Sequence, residues 1–269
     1  MSSAPEFDDT PLNEHGADDA TLDELLTAAH RRFDRTLARI RRPQAAIGIA
    51  ETPLGELLVG QSARGLLLVR FLDLANTEIL PAELKEHFDL VESPTLAAAV
   101  SDEIARLMRG ETAAIAARPV DLSLVPTAFQ RRALTRLRKV PAGAVTTYQA
   151  LAAASGAPAA QRAIGNTVAN NPLAIYVPCH RVIKSDGAIG NYGGGVERKL
   201  RLLRAEGFAV DKGRRIPAGA VFGHLGTHIF CRPTCGAAKR ARSDRMLIFP
   251  DTGRAAAAGM RPCKLCRPA

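Results

Sequence analysis

The spacing of apolar and polar positions divides the chain into stretches of different period. Leu22, Leu25, Leu26, Ala29, Phe33, Leu37 and Ile40 recur at helical spacing, with acids ahead and arginines behind, so residues 21–42 read as an amphipathic helix. Thr21 and Glu24 have capping-box spacing, Pro43 stops the run, and packing on a core is the expected role of its apolar stripe. From Ala45 the period shortens. Residues 46–49, 57–60 and 66–71 read as three strands separated by Pro-Leu-Gly and Ala-Arg-Gly turns, and residues 96–108 as a helix closed by Gly110. Beyond residue 122 the pattern is helical over 126–139, 146–154 and 159–169, with Gly156 between the last two. Helix, glycine-containing turn, helix is the helix-turn-helix arrangement, whose second helix faces DNA. Residues 1–20 have no apolar period and are expected to be disordered, and residues 222–269 hold too little apolar material for an unaided core. Five segments are therefore expected, at 1–20, 21–42, 45–118, 122–209 and 222–269.

Composition changes this picture little, but charge does. A content of 46% hydrophobic and 23% charged residues is ordinary for a globular protein. No apolar run approaches a bilayer's thickness and the acidic N-terminus is unlike a signal peptide, so the expectation is a cytoplasmic, nucleoid-associated monomer without membrane contact. The net charge of +9 is unevenly spread: residues 1–24 carry eight acids and no Lys or Arg, leaving 36 Lys and Arg against 19 Asp and Glu elsewhere. Between Asp121 and Asp186 there is no acid, while eight Lys or Arg fall inside, among them Arg131, Arg132 and Arg162. A one-signed stretch of that length favours a polyanion such as nucleic acid.

Five cysteines suit one free thiol plus a set of four. The four lie at Cys231-x3-Cys235 and Cys263-x2-Cys266, two close pairs 27 residues apart that can converge on one tetrahedral ion; four thiolates at this spacing favour zinc. His224 and His228 stand nearby but are not needed once four thiolates close the shell. The fifth, Cys179, sits in Pro178-Cys179-His180-Arg181-Val182, beside an imidazole able to generate its thiolate. Lowering the pKa of a thiol from about 8.5 gains at most about thirtyfold in thiolate at neutral pH, so positioning must supply the rest of any rate.

The motif continues through Asn191-Tyr192-Gly193-Gly194-Gly195 to a helix ending at Glu206-Gly207, and this longer pattern resembles the O6-alkylguanine-DNA alkyltransferases. Thr52-Pro53-Leu54-Gly55 and the strands around it resemble that family's ribonuclease-H-like N-terminal domain. The resemblance implies an α/β domain, a mainly α helix-turn-helix catalytic domain and a small zinc-binding domain. It also implies single-turnover transfer of an alkyl group from O6-alkylguanine (and O4-alkylthymine) in double-stranded DNA to Cys179. His180 would deprotonate Cys179 through a water, Glu206 would orient His180, Asn171 would brace the active-site turn, and Tyr148 would help rotate the nucleotide and protonate the purine. Arg162, with Ala163 beside it on the second helix, would fill the gap left by the flipped base, which costs a few kcal/mol to extrude. Gly193 stands where relatives often carry a larger residue, implying a more open pocket.

Phe230-Cys231-Arg232-Pro233-Thr234-Cys235 and Arg261-Pro262-Cys263-Lys264-Leu265-Cys266 resemble the zinc domain of the Ada family of adaptive-response proteins. That implies Cys231 as a second acceptor, for methyl groups from backbone methylphosphotriesters, with the metal held by all four cysteines. The module follows the alkyltransferase-like part instead of preceding it, so a transcriptional switch is not expected. The rival reading is a DNA-binding alkylation sensor or regulator with a purely structural zinc site.

Overall fold

The computed structural model describes residues 19–40, 42–73, 82–240 and 243–268. The acidic segment expected to be disordered falls almost wholly outside them. The chain divides into two compact units, residues 1–42 and 43–269. The first holds α1 (Asp19–Ile40), which is already helical at Asp19; Thr21 therefore lies inside the first turn and is not its cap. Leu25, Leu26 and Phe33 on its stripe are exposed. No described helix is long and apolar enough to cross a membrane.

The second unit opens with β1 (Gln44–Ala50), β2 (Leu57–Ser62) and β3 (Gly65–Phe71), the strands expected from the short period. Next come α2 (Ala82–His87), β4 (Asp89–Glu92), α3 (Pro94–Met108) and α4 (Ala113–Ala117). The sheet has the order β3-β2-β1-β4, with only the β1–β4 pair parallel. Its β4 and the short helices α2 and α4 lack a pattern long enough to read from sequence. Ser93 caps α3 by accepting from the Leu96 amide at 3.2 Å, and Gly110 leaves the helix at φ 93°. Gly65 has no substitute at its turn, since φ is 137° and a Cβ would lie 2.5 Å from the Pro119 carbonyl.

The helical part contains α5 (Ala128–Arg138), β5 (Thr146–Thr147), α6 (Tyr148–Ala154), α7 (Gln161–Ala169), β6 (Val182–Ile183) and α8 (Val196–Ala205). Thr127 and Gln130 form a capping box on α5, and Thr147 caps α6 by accepting from the Ala150 amide at 3.0 Å. Gly156, at φ 81°, makes the turn between α6 and α7. The final segment comprises β7 (Val221–His224), β8 (Ile229–Cys231), α9 (Gly236–Arg240), β9 (Met246–Phe249), α10 (Thr252–Ala257) and β10 (Arg261–Pro262), with sheet order β10-β8-β7-β9. It is docked on the helical part and does not stand apart from it. One buried cluster runs from Val59 and Ile104 through Leu134, Ile164, Val177 and Leu202 to Phe230, Phe249 and Met260.

Candidate active site and metal centre

Two edges hold the Cys179 turn. Residues 172–174 run beside β3: the Val69 amide donates to Pro172 O at 2.8 Å and the Ala174 amide to Val69 O at 3.0 Å. On the other side, β6 pairs in parallel with β5, Val182 against Thr146. Between them Cys179–Arg181 forms one 3-10 turn. Ile175 enters that turn at φ 74°, a conformation costly for a β-branched residue, and is fully buried. Its neighbour Tyr176 is pinned by a 2.6 Å hydrogen bond to Glu103 on α3, whose other oxygen accepts from Arg118 at 2.9 Å.

The expected residues converge. Asn171 Nδ2 donates to Cys179 Sγ at 3.1 Å and to Val177 O at 2.8 Å, while its Oδ1 accepts from the Leu173 amide at 3.1 Å. His180 Nε2 lies 2.9 Å from Glu206 Oε1, with both side chains buried. Burial works against a charged Glu206, but His180 and Arg181 outweigh it and hold the carboxyl at about 2. Glu206 is thus a carboxylate that accepts from Nε2–H, which leaves Nδ1 as the basic ring nitrogen. Nδ1 is buried and has no hydrogen-bond partner among the described residues. Burial lowers the imidazole's pKa despite the carboxylate, so the ring is neutral at neutral pH. Burial also raises the Cys179 thiol, against the opposing pull of the Asn171 amide, the Lys199 charge and the Tyr192 hydroxyl. The resting thiol is therefore protonated, and any nucleophilic use of it needs an adjacent base. Tyr148 is half-buried; burial, and the charge on Cys179 once it ionises, push its hydroxyl up, so it stays protonated.

Three further residues complete the site, none of them singled out by the motif. Arg181 binds Glu206 through both carboxylate oxygens, at 2.8 and 2.6 Å, and its remaining donor reaches Val140 O. The expected relay is thus a buried three-group cluster. Lys199 is fully buried on α8, donating to Val182 O at 2.7 Å and Ile189 O at 2.5 Å, and burial lowers it to about 8. Tyr192 meets His180 edge-on at 6.4 Å between ring centroids, and its buried hydroxyl faces Cys179 without a bond of good geometry. Lys199 had a sequence signal: it shares the i, i+3, i+4, i+7 stripe of Val196, Leu200 and Leu203. Arg181 and Tyr192 lie inside the motif, but nothing in it gave either residue a role.

Cys179, Asn171, Val168, Tyr192 and Gly193 line a cavity of about 230 Å³. A Cβ at Gly193 would meet only Ala169 O, at 3.8 Å, whereas one at Gly194 would lie 2.5 Å from Tyr192 and 2.7 Å from Phe71. Arg198 closes this wall, stacked 4.3 Å from the Phe71 ring centroid and donating to Gly194 O. Arg162 and Ala163 are both exposed on α7. Arg131 and Arg132 are exposed on α5, and Arg131 bonds the Val125 and Pro126 carbonyls of its own helix start.

The sulfurs of Cys231, Cys235, Cys263 and Cys266 all lie within 4.8 Å of one another. A tetrahedral zinc with four Zn–S bonds of about 2.3 Å needs sulfurs about 3.8 Å apart, so the set fits zinc after a small contraction. His224 is committed elsewhere, its Nδ1 accepting from the Gly226 and Thr227 amides at 3.2 Å each.

A buried thiol beside an imidazole, with a four-cysteine cluster that fits a metal, is the arrangement of a cysteine group-transfer protein with a metal module. The family model for the 6-O-methylguanine DNA methyltransferase DNA-binding domain matches residues 128–208, and that for the metal-binding domain of Ada matches residues 210–269. The rat methylated-DNA–protein-cysteine methyltransferase is 34% identical over 189 residues, covering 66% of this chain and 88% of the relative. The crystal structure of Mycobacterium tuberculosis OGT in complex with DNA superimposes with TM-score 0.51 at 30% identity, covering 60% of this chain and 93% of that one. The chain belongs to the methylated-DNA–protein-cysteine methyltransferases. The bifunctional transcriptional activator/DNA repair enzyme Ada of Escherichia coli K12 is 34% identical over 158 residues, which span 59% of this chain and 44% of that relative.

Proposed function

We propose that the protein repairs alkylated DNA by moving an alkyl group from O6 of guanine, and O4 of thymine, irreversibly onto Cys179. The observation that carries this reading is the free, basic Nδ1 of His180, fixed by Glu206 next to a protonated thiol. His180 takes the thiol proton through a water, and the thiolate attacks the alkyl carbon. The C–O6 bond breaks with its electron pair going to the purine, and Tyr148 supplies the proton that neutralises the leaving base. The ribonuclease-H-like label for residues 45–118 and the helix-turn-helix label for α6 and α7 belong to this reading. Arg162 and Ala163 on exposed α7 face double-stranded DNA, Arg162 filling the flipped base's place, with Arg131 and Arg132 adding phosphate attraction. The domain boundaries given above, a monomeric state and a cytoplasmic, nucleoid-associated location complete it.

Zinc, held by the four cysteines, keeps a bound thiolate deprotonated yet nucleophilic. Backbone amides aim at three of the sulfurs: Ala237 and Ala238 at Cys235, Leu265 and Cys266 at Cys263, and Arg232 at Cys266. Cys231 faces chiefly its neighbouring thiols, so its lone pairs are the least engaged. That favours Cys231 as the second acceptor, for methyl groups from backbone phosphotriesters.

Incubation with methylated duplex DNA under zinc-retaining conditions, followed by intact mass and peptide mapping, tests both assignments. Methyl on Cys179 and on Cys231 is expected. No methyl on Cys179 sinks the main reading, and methyl on Cys179 alone reduces the metal centre to a structural one. Cys179→Ser should abolish base repair while keeping most DNA binding, an outcome a sensor would not show as any loss of its function.

A further inference from the structure

The metal module and the Cys179 turn share a continuous row of backbone pairings. Cys231 on β8 pairs with Phe222 on β7, and Phe222 with Ile248 on β9. Ile248 exchanges two backbone hydrogen bonds with Val145, at 2.8 and 2.9 Å, although the two belong to different parts of the fold. The next residue, Thr146, pairs with Val182, whose amide donates to the carbonyl of Cys179 itself. Val145, Ile183, Leu203, Phe208 and Ile248 bury this seam as one apolar cluster.

A second contact reaches the relay from behind. The Arg254 guanidinium of α10 lies against Gly207, where a Cβ would fall 2.0 Å from Nη2 and 2.3 Å from Cζ. Gly207 directly follows Glu206, and on the same side a Cβ at Gly143 would come within 3.2 Å of Glu206 O. Among the described residues no carboxylate pairs with Arg254, so the residue acts here by shape and by its contact with backbone. Its position is set by α10, where Asp251 Oδ1 accepts from the Arg254 amide at 2.7 Å and Ala255 is fully buried. A cavity of about 450 Å³, bordered by Ile175, Pro178, Arg181 and Arg254, separates α10 from the back of the Cys179 turn. Arg254 reaches across this space, while the Val145–Ile248 pairing and the packing of residues 243–245 on α6 join the two parts beside it.

We propose that the metal module is a working part of the Cys179 site, with Arg254 a positioning residue that acts through Gly207 on Glu206. The inference rests on Cys179 being the acceptor. Metal holds the Cys231–Cys235 segment to Cys263–Cys266 and so keeps β8 beside β10, the two strands between which β9 and α10 are carried. Loss of metal frees β9 and α10, and with them the strand pairing at Val145 and the wedge at Gly207.

Single-turnover transfer from methylated duplex DNA tests this on the full chain, zinc-loaded and chelated, and on zinc-loaded Arg254→Ala and Arg254→Lys. Transfer in the zinc-loaded wild type secures the underlying reading, and its absence there counts against that reading alone. The zinc-free chain and Arg254→Ala should each lose about tenfold in the first-order rate at saturating DNA, the scale of a sub-ångström misplacement. The half-saturating DNA concentration of Arg254→Ala should stay within about twofold, since positioning and not affinity is lost. Arg254→Lys, which keeps charge but not the flat guanidinium, should recover only part of the rate. Amide exchange in peptides covering residues 180–183 and 245–249 should rise together on chelation. Unchanged rate and exchange in the zinc-free chain would overturn the proposal. Should chelation unfold the chain, seen as loss of the circular dichroism signal, Arg254→Ala with its zinc content verified decides: a wild-type rate overturns the proposal.

Discussion

On the reading proposed above, the two thiol sites solve the same chemical problem by opposite means. Cys179 is alone, deeply buried and protonated at rest, and every helper around it is a side chain fixed by the fold: Asn171, His180, Glu206, Lys199 and Tyr192. At the four-cysteine centre the sulfurs crowd within 4.8 Å of one another, an arrangement suited to a bound cation. One site is preorganised by packing and draws its reactivity from acid–base chemistry. The other would be organised by a metal held by Cys231, Cys235, Cys263 and Cys266, which would keep its ligands as thiolates. The comparison teaches that geometry at Cys179 is set by packing, the docked metal module included, whereas geometry at Cys231 is set by the ligand set itself.

The largest expected effect follows from that difference. Cys235→Ser, or chelation, should remove a contribution of order 10 kcal/mol to folding of the module, the scale of structural zinc binding. Zinc stoichiometry and amide exchange over residues 229–249 report it. Retained protection without metal would break the contrast between the two sites.

At the Cys179 site the corresponding weak point is Glu206. Glu206→Ala leaves Arg181 buried without its carboxylate and should cost about 3–5 kcal/mol in urea unfolding. The same group sets an acid limit. Its folded pKa of about 2 lies below the ordinary 4.5, so its stabilisation is fully present above pH 4.5 and is lost as pH falls towards 2. Of a total of about 3 kcal/mol, about 2 should be gone by pH 3. An Arg181 and His180 cluster that tolerates pH 3 without this loss would contradict the burial argument.

How much of this was readable beforehand differs between the sites in the same way. The four cysteines announce themselves, because metal ligation needs particular residue types at short spacing and little else. At Cys179 the motif located the thiol, base and carboxylate, and the helical pattern placed α3, α5, α6 and α7 to within a few residues. Arg181, Lys199 and Tyr192 were not read, because their roles arise from burial. A sequence shows an arginine or lysine as a surface charge until the fold removes its solvent. Lys199, on the apolar stripe of α8, was the one exception available to pattern reasoning. Strands β5, β6 and β10, of two residues each, exist only through partners distant in sequence, so the Val145–Ile248 seam had no local trace.

Lys199 gives the next effect in size. Burial lowers it to about 8, so the folded state holds its proton less tightly than the unfolded chain, whose lysine titrates at 10.5. Its charge therefore costs stability below pH 8, and the cost fades as pH rises towards 10.5. Lys199→Met removes that cost but strands the Val182 and Ile189 carbonyls, so the net change in stability should stay within about 2 kcal/mol. Transfer to Cys179 should fall about tenfold as the thiolate loses the favourable charge of Lys199, one pKa unit corresponding to a tenfold change in thiolate. A parallel fall in methyl uptake at Cys231 would show instead that the substitution damaged the whole chain. The pH profile sharpens the same point. The imidazole must be neutral to act, and burial holds His180 below its usual 6.5, so the acid limb of Cys179 transfer should lie below pH 6.5. Peptide mapping of methyl uptake across pH 5–8 measures it.

The smallest effect concerns the pocket wall. Gly193 and Gly194 are neighbours with different reasons to be glycine. A Cβ at Gly194 would strike Tyr192 and Phe71, so Gly194→Ala should cost about 1–3 kcal/mol by overpacking and displace Tyr192 from Cys179. A Cβ at Gly193 meets only an ordinary contact with Ala169 O, so Gly193→Ala should change stability by less than about 0.5 kcal/mol. Its effect should appear in substrate range instead: methyl transfer stays near wild type, while transfer of a bulkier group such as benzyl slows. Competition between methylated and benzylated duplexes for Cys179 reads this out as a ratio. Equal slowing of both groups would mean that reactivity at sulfur, and not the open wall at Gly193, limits what this preorganised site accepts.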